Sequence, residues 1–140
     1  MMQYVVDASV SVKWFLPEIH SRESMRLLNK ECELLAPDLI FAEFGNVLWK
    51  KWRADEIDKD SVAKILSDFR KMPVVIYSSD LLLDVSWAIA ERYQRSFYDS
   101  LYLAVAQIQE CRLVTADKKF YAALKKTTIG KSLLWIEDVR

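Results

Sequence analysis

A chain of 140 residues has the length of one ordinary domain, and a single folded unit over residues 1–140 is the expectation. With 52% apolar and 29% charged residues it can bury a core and keep a solvated surface, which argues against disorder. Lys plus Arg equals Asp plus Glu, so the net charge of zero argues mildly against a nucleic-acid partner, although a cluster of acidic ligands would hide a basic rim in the total.

In chain order, Gln3–Val6 is a short β-type run ending at Asp7. Ser9 reads as the N-cap of a short helix through about Phe15, ended by Pro17. Ser21–Lys30 has helical spacing, and Glu33–Ala36 is a short apolar strand. Pro37 suits the first turn of the next helix, which carries Leu39, Ile40, Phe41, Phe44, Val47, Leu48 and Trp52. Asp58–Arg70 is a further amphipathic helix. Pro73 opens Val74–Tyr77, which has the pattern of a buried strand, and Ser79–Tyr93 is helical. Ser96 caps a long apolar helix from Phe97 to about Gln109. Arg112–Thr115 is a strand, Ala116–Lys125 a helix and Leu133–Ile136 a last strand. Strands and helices largely alternate, which predicts an α/β fold with helices on both faces of a central parallel sheet.

Several chemistries drop out. Only Gly45 and Gly130 are glycines, so neither a phosphate loop nor a dinucleotide fingerprint is present. Cys32 and Cys111 are far apart, which speaks against a zinc site or redox pair and for buried, reduced thiols. There is no signal-peptide pattern and no apolar run of about 18 residues, so the expectation is a soluble cytoplasmic protein without a membrane span. His20 is the only histidine. It follows the Pro17 break, and no nucleophile motif accompanies it.

Four acids remain: Asp7, Glu43, Asp99 and Asp117, each in or beside an apolar segment. Carboxylates are costly to desolvate, and four near the strand ends of a parallel sheet can reach one crevice. Singly, each has a structural reading: Asp99 complements a helix dipole, Asp117 caps a helix, Glu43 is a surface residue. Together they would repel unless a hard cation joined them, and Mg²⁺ or Mn²⁺ suits oxygen ligands. Such an ion polarises a phosphoryl oxygen and activates water, so phosphodiester hydrolysis is the expected reaction.

The motifs also carry a resemblance. Val5-Val6-Asp7-Ala8-Ser9 with Lys13-Trp14-Phe15 and Pro17-Glu18, then Pro37, Leu39, Glu43, Asn46 and Leu48, then Phe97-Tyr98-Asp99-Ser100-Leu101-Tyr102-Leu103-Ala104, then Leu113-Val114-Thr115-Ala116-Asp117-Lys118-Lys119-Phe120, resemble the four motifs of PIN domains, in particular VapC-type toxins, in order along nearly the whole chain. Ser100 stands where such proteins often carry alanine. The resemblance implies a three-layer α/β/α sandwich and Mg²⁺- or Mn²⁺-dependent endoribonuclease activity. It also implies a toxin role restrained by a cognate antitoxin, often in a homodimer-based complex.

On this reading Asp7, Glu43, Asp99 and Asp117 are metal ligands, directly or through water, with Asp7 and Asp99 the firmest direct ligands. Ser9 and Thr115 are candidates for orienting carboxylates, beside simpler readings as a helix cap and a β-former. Asn46 either bonds a ligand or faces solvent. Lys13, Arg95, Lys118 and Lys119 flank the motifs and could contact substrate phosphates, or form a solvated charged face. Trp49 and Trp52 read as core packing by at least one of them, as a partner or dimer face, or as a base-stacking platform. A catalytically silent PIN-like module that binds protein or RNA is the main alternative, and the presence of all four acids argues against it. Aspartyl-phosphate chemistry fails because Ser9 occupies the position of the phosphatase's second Asp, and Asp7 lacks the acidic neighbour of a receiver domain.

Overall fold

The computed structural model describes all residues, Met1–Arg140. Five strands form one sheet: β1 (Met2–Val5), β2 (Cys32–Pro37), β3 (Val74–Tyr77), β4 (Arg112–Thr115) and β5 (Leu133–Trp135). All pairings are parallel, in the order β3-β2-β1-β4-β5. Consecutive residues are buried in the three inner strands, Tyr4 and Val5, Leu34 to Ala36, and Leu113 to Thr115. Successive strand residues point to opposite faces, so both faces of the sheet are covered, as a three-layer α/β/α sandwich requires.

Seven helices do the covering: α1 (Ala8–Val12), α2 (Ser21–Met25), α3 (Leu39–Arg53), α4 (Lys59–Arg70), α5 (Ser79–Tyr93), α6 (Phe97–Ile108) and α7 (Lys118–Leu124). Helix α6 is buried without interruption from Ser100 to Ala106. It lies on β1, β2 and β4 and is itself covered by α5, which explains why it is apolar on nearly every side. Helices α3 and α4 meet through Phe44 and Phe69, whose rings stack 3.8 Å apart, with Phe15 edge-on to both.

Five local expectations change. The cap of α1 is Asp7, whose carboxylate accepts from the Val10 N–H at 2.9 Å, while Ser9 lies inside the helix. Pro37 is the last residue of β2, paired in register with Tyr77, and not a first-turn residue of α3. The helix from Ser21 stops at Met25. The Asn29 side chain explains the early stop by bonding the Arg26 carbonyl and the Glu31 N–H, competing for groups a longer helix would use. Strand β3 is an edge strand with Val75 and Ile76 exposed, because nothing pairs beyond it. Both cysteines are free thiols but only partly buried.

The strand order determines where a ligand can enter. From β1 the chain builds outward through β2 to β3, then crosses back to place β4 on the other side of β1. The order reverses between β1 and β4, and the crevice beyond their C-terminal ends is where open parallel sheets bind ligands.

Candidate metal centre and active site

Asp7 follows β1 and Asp117 follows β4, so the two adjacent strands deliver one carboxylate each to the crevice. Asp99 lies in the first turn of α6, which Ser96 caps by accepting the Asp99 N–H at 3.0 Å. Glu43 comes from the second turn of α3. The four acids line a single cleft of about 260 Å³ together with Ser9, Asn46, Lys50, Tyr102 and Thr115. Residues separated by up to 110 positions are thus brought to one place.

Hydrogen bonds hold the carboxylates in different ways. The Ser9 hydroxyl donates to Asp7 Oδ1 at 2.8 Å. The Tyr102 hydroxyl donates to Glu43 Oε1 at 2.6 Å. Asp117 caps α7 through the Phe120 N–H at 3.1 Å, and its own N–H donates to the Thr115 hydroxyl at 3.1 Å. Thr115, buried at the end of β4, therefore shapes the strand-to-helix turn and touches no carboxylate oxygen. Asn46 lines the cleft from an exposed position and makes no side-chain hydrogen bond to a carboxylate.

The electrostatics are those of a site short of positive charge. Asp7 keeps some surface open to the cleft but is otherwise surrounded by protein, and this desolvation pushes its pKa up. The Glu43 charge pushes the same way, against the hydrogen bonds from Val10 and Ser9. Tyr102 is raised far above an ordinary phenol, first by burial and then by its bond to Glu43 and the charges of Glu43, Asp7 and Asp99. It is a permanent donor. The one ion pair to any of the four acids is the long contact of Arg95 with Asp99 at 4.0 Å.

An all-oxygen donor set with an excess of negative charge fits a hard divalent cation. No three of the carboxylates converge closely enough to hold an ion by direct contact alone. The fit is therefore to an ion that retains part of its water shell, as Mg²⁺ does.

The flanking cations are placed unevenly. Lys13 does not line the cleft; its ammonium pairs with Glu18 at 3.1 Å, and Glu18 also holds Lys51 of α3 at 2.6 Å. Arg95 lies over the Phe120 ring at 5.4 Å, beside Asp99. Lys118 and Lys119 are exposed in the first turn of α7, outside the cleft lining. His20 is engaged elsewhere, with Glu23 at 3.0 Å and edge-on to Trp135. Trp49 and Trp52 are 52% and 45% exposed, so neither packs in the core.

Sequence reasoning missed two cleft residues, and helical spacing could have found both. Tyr102 is three residues after Asp99 on α6, and Lys50 is four after Asn46 and seven after Glu43 on α3, spacings that share a helix face.

Comparison with known proteins bears on the family and the fold. The PIN domain family profile matches residues 4–126. Ribonuclease VapC3 of Pyrobaculum aerophilum is 30% identical over 122 residues, spanning 84% of this chain and 92% of that protein. Ribonuclease VapC1 of Mycobacterium tuberculosis is 32% identical over 127 residues, spanning 88% and 92%. A crystal structure of a Pyrobaculum aerophilum protein superposes with a TM-score of 0.61 at 25% identity, covering 97% of this chain and 92% of that one. The matched residues include all four acids, strand β4 and helices α3 and α6, and the chain belongs to the PIN-domain family.

Proposed function

We propose that this chain is an endoribonuclease that requires Mg²⁺ or Mn²⁺, and that it is the toxin of a toxin–antitoxin pair. The observation that carries the reading is the convergence of Asp7, Glu43, Asp99 and Asp117 on one cleft at the point where strand order reverses. Kinship to proteins named VapC ribonucleases supports the substrate class.

Asp7, Glu43, Asp99 and Asp117 would hold the ion, directly or through water. When bound, such an ion polarises a phosphoryl oxygen, lowers the pKa of water and stabilises the leaving oxygen. The protein's own part is positioning. Ser9 fixes one oxygen of Asp7, Tyr102 fixes one oxygen of Glu43, and the α6 and α7 caps fix the backbone that carries Asp99 and Asp117. One carboxylate of the cleft orients the attacking water in line with the scissile bond. Rigid placement of this kind is where most of the acceleration of phosphoryl transfer comes from.

The 140 residues act as one PIN unit in the cytoplasm, with a cognate antitoxin and a second copy of the chain as partners. The exposed Trp49 and Trp52 of α3 and Trp87 of α5, the last 64% exposed, support a protein-binding surface. No helix is long and apolar enough to cross a membrane.

The test is cleavage of RNA by the purified protein. Cleavage should require Mg²⁺ or Mn²⁺, stop with EDTA, and be lost in Asp7→Asn and in Asp99→Asn with the fold kept. Absence of both cleavage and metal binding in the wild type would favour a catalytically silent PIN module instead.

A further inference from the structure

The geometry points to Lys50 as the residue that grips a backbone phosphate of the RNA strand in the cleft, an assignment that rests on the ribonuclease reading above. Helix α3 presents Glu43, Asn46, Val47 and Lys50 to the cleft, at positions i, i+3, i+4 and i+7 of one face. Lys50 is the one cationic residue in the cleft lining.

It is also free. Lys50 is exposed and forms no ion pair, although it shares the cleft with four carboxylates. Its neighbours are committed: Lys51 and Lys13 both hold Glu18, and the Arg53 guanidinium lies over the Trp49 ring at 5.2 Å. An unpaired ammonium on a flexible stem suits a phosphate as a point charge, without base selectivity.

Seven helical residues separate Lys50 from Glu43 by about 10 Å along the α3 axis. The lysine stem leans back along the helix and spans much of that gap, so the ammonium can meet a phosphate of a strand lying in the cleft. The strand would then lie against the α3 face that carries Glu43, Asn46 and Lys50.

The probe is a short single-stranded RNA, with Ca²⁺ in place of Mg²⁺ to hold the complex uncleaved. Its affinity for the wild type, Lys50→Ala and Lys50→Arg is measured across salt concentrations. Loss of one phosphate contact should make the slope of log affinity against log salt shallower by about 0.7 in Lys50→Ala. Between 50 and 200 mM salt, the advantage of wild type over Lys50→Ala should therefore shrink by about 2.5-fold. Lys50→Arg should restore the slope, and in Mg²⁺ the alanine variant should raise KM by more than it lowers kcat.

An unchanged slope in Lys50→Ala, with wild type binding and cleaving RNA normally, overturns the assignment and leaves the ribonuclease reading standing. An unchanged slope with tighter Mn²⁺ binding would instead make Lys50 a counter-charge to the acids. A wild type that neither binds nor cleaves RNA overturns both.

Discussion

The Tyr102 hydroxyl donates to Glu43 Oε1 at 2.6 Å, joining the buried core helix α6 to the cleft face of α3 across 59 residues of sequence. Tyr102 is almost wholly buried, and burial together with the acids around it keeps its proton in place at any working pH. One Glu43 oxygen is therefore always held by this donor. Tyr102→Phe removes the donor and keeps the ring. Partners of this type typically change metal affinity or activity by about 10- to 100-fold. A loss of that size in Mn²⁺ affinity is expected, followed by titration with a Mn²⁺ signal, with stability lowered by only about 1–2 kcal/mol.

Asp7 carries opposed demands. Its burial without a paired cation disfavours the metal-free fold, and on the proposed reading the same carboxylate would hold the ion. Asp7→Asn keeps a side chain able to cap α1. It should abolish cleavage while raising the metal-free melting temperature by a few degrees, corresponding to about 1–2 kcal/mol. Mg²⁺ should raise the wild-type melting temperature and leave the variant's unchanged. Calorimetry with and without Mg²⁺ reads both effects.

Glu18 supplies a pH dependence away from the site. Burial alone would raise its pKa, but hydrogen bonds and charge from Lys51 and Lys13 bring it below the ordinary glutamate value. A carboxyl lowered in the folded state contributes stability that is fully present above its unfolded pKa and is lost as pH falls through the folded one. Wild type should thus lose more stability than Glu18→Gln between about pH 5 and pH 3, with Glu18→Gln the less stable of the two at pH 7 by about 1 kcal/mol. Denaturant titrations at the two pH values measure the difference.

Gly130 is a packing requirement. A Cβ there would lie 2.2 Å from the Lys125 carbonyl oxygen and 2.8 Å from that of Leu124, both backbone atoms at the end of α7. Gly130→Ala must displace that chain, at a cost of about 1–3 kcal/mol. Gly45→Ala meets nothing within 4 Å and replaces a poor helix former inside α3, so it should stabilise by up to about 1 kcal/mol. Opposite shifts in melting temperature are expected.

The architecture was legible because local and global signals agree. The alternating elements, the Ser96 cap and the continuous apolar run of α6 each point to a parallel sheet with covered faces, and the four acids fall at strand ends or within the first two turns of helices. Failures occurred where tertiary context overrides local preference. Ser9 is a good cap by type, but Asp7 is better placed because β1 ends just before it. Val74–Tyr77 is as apolar as an inner strand, and nothing local says that the sheet stops there. Lys13 flanks a motif, yet Glu18 is close enough to bind it. Lys50 looks like any surface lysine until the α3 face is turned toward the acids.

The most direct measurement is RNA cleavage and Mn²⁺ binding followed together over one metal titration, on wild type and Asp99→Asn. Cleavage should rise in step with Mn²⁺ occupancy in the wild type, with both lost in Asp99→Asn while its melting transition stays cooperative. Undiminished cleavage in EDTA, or in Asp99→Asn without bound Mn²⁺, would contradict a metal-dependent site built from these four carboxylates.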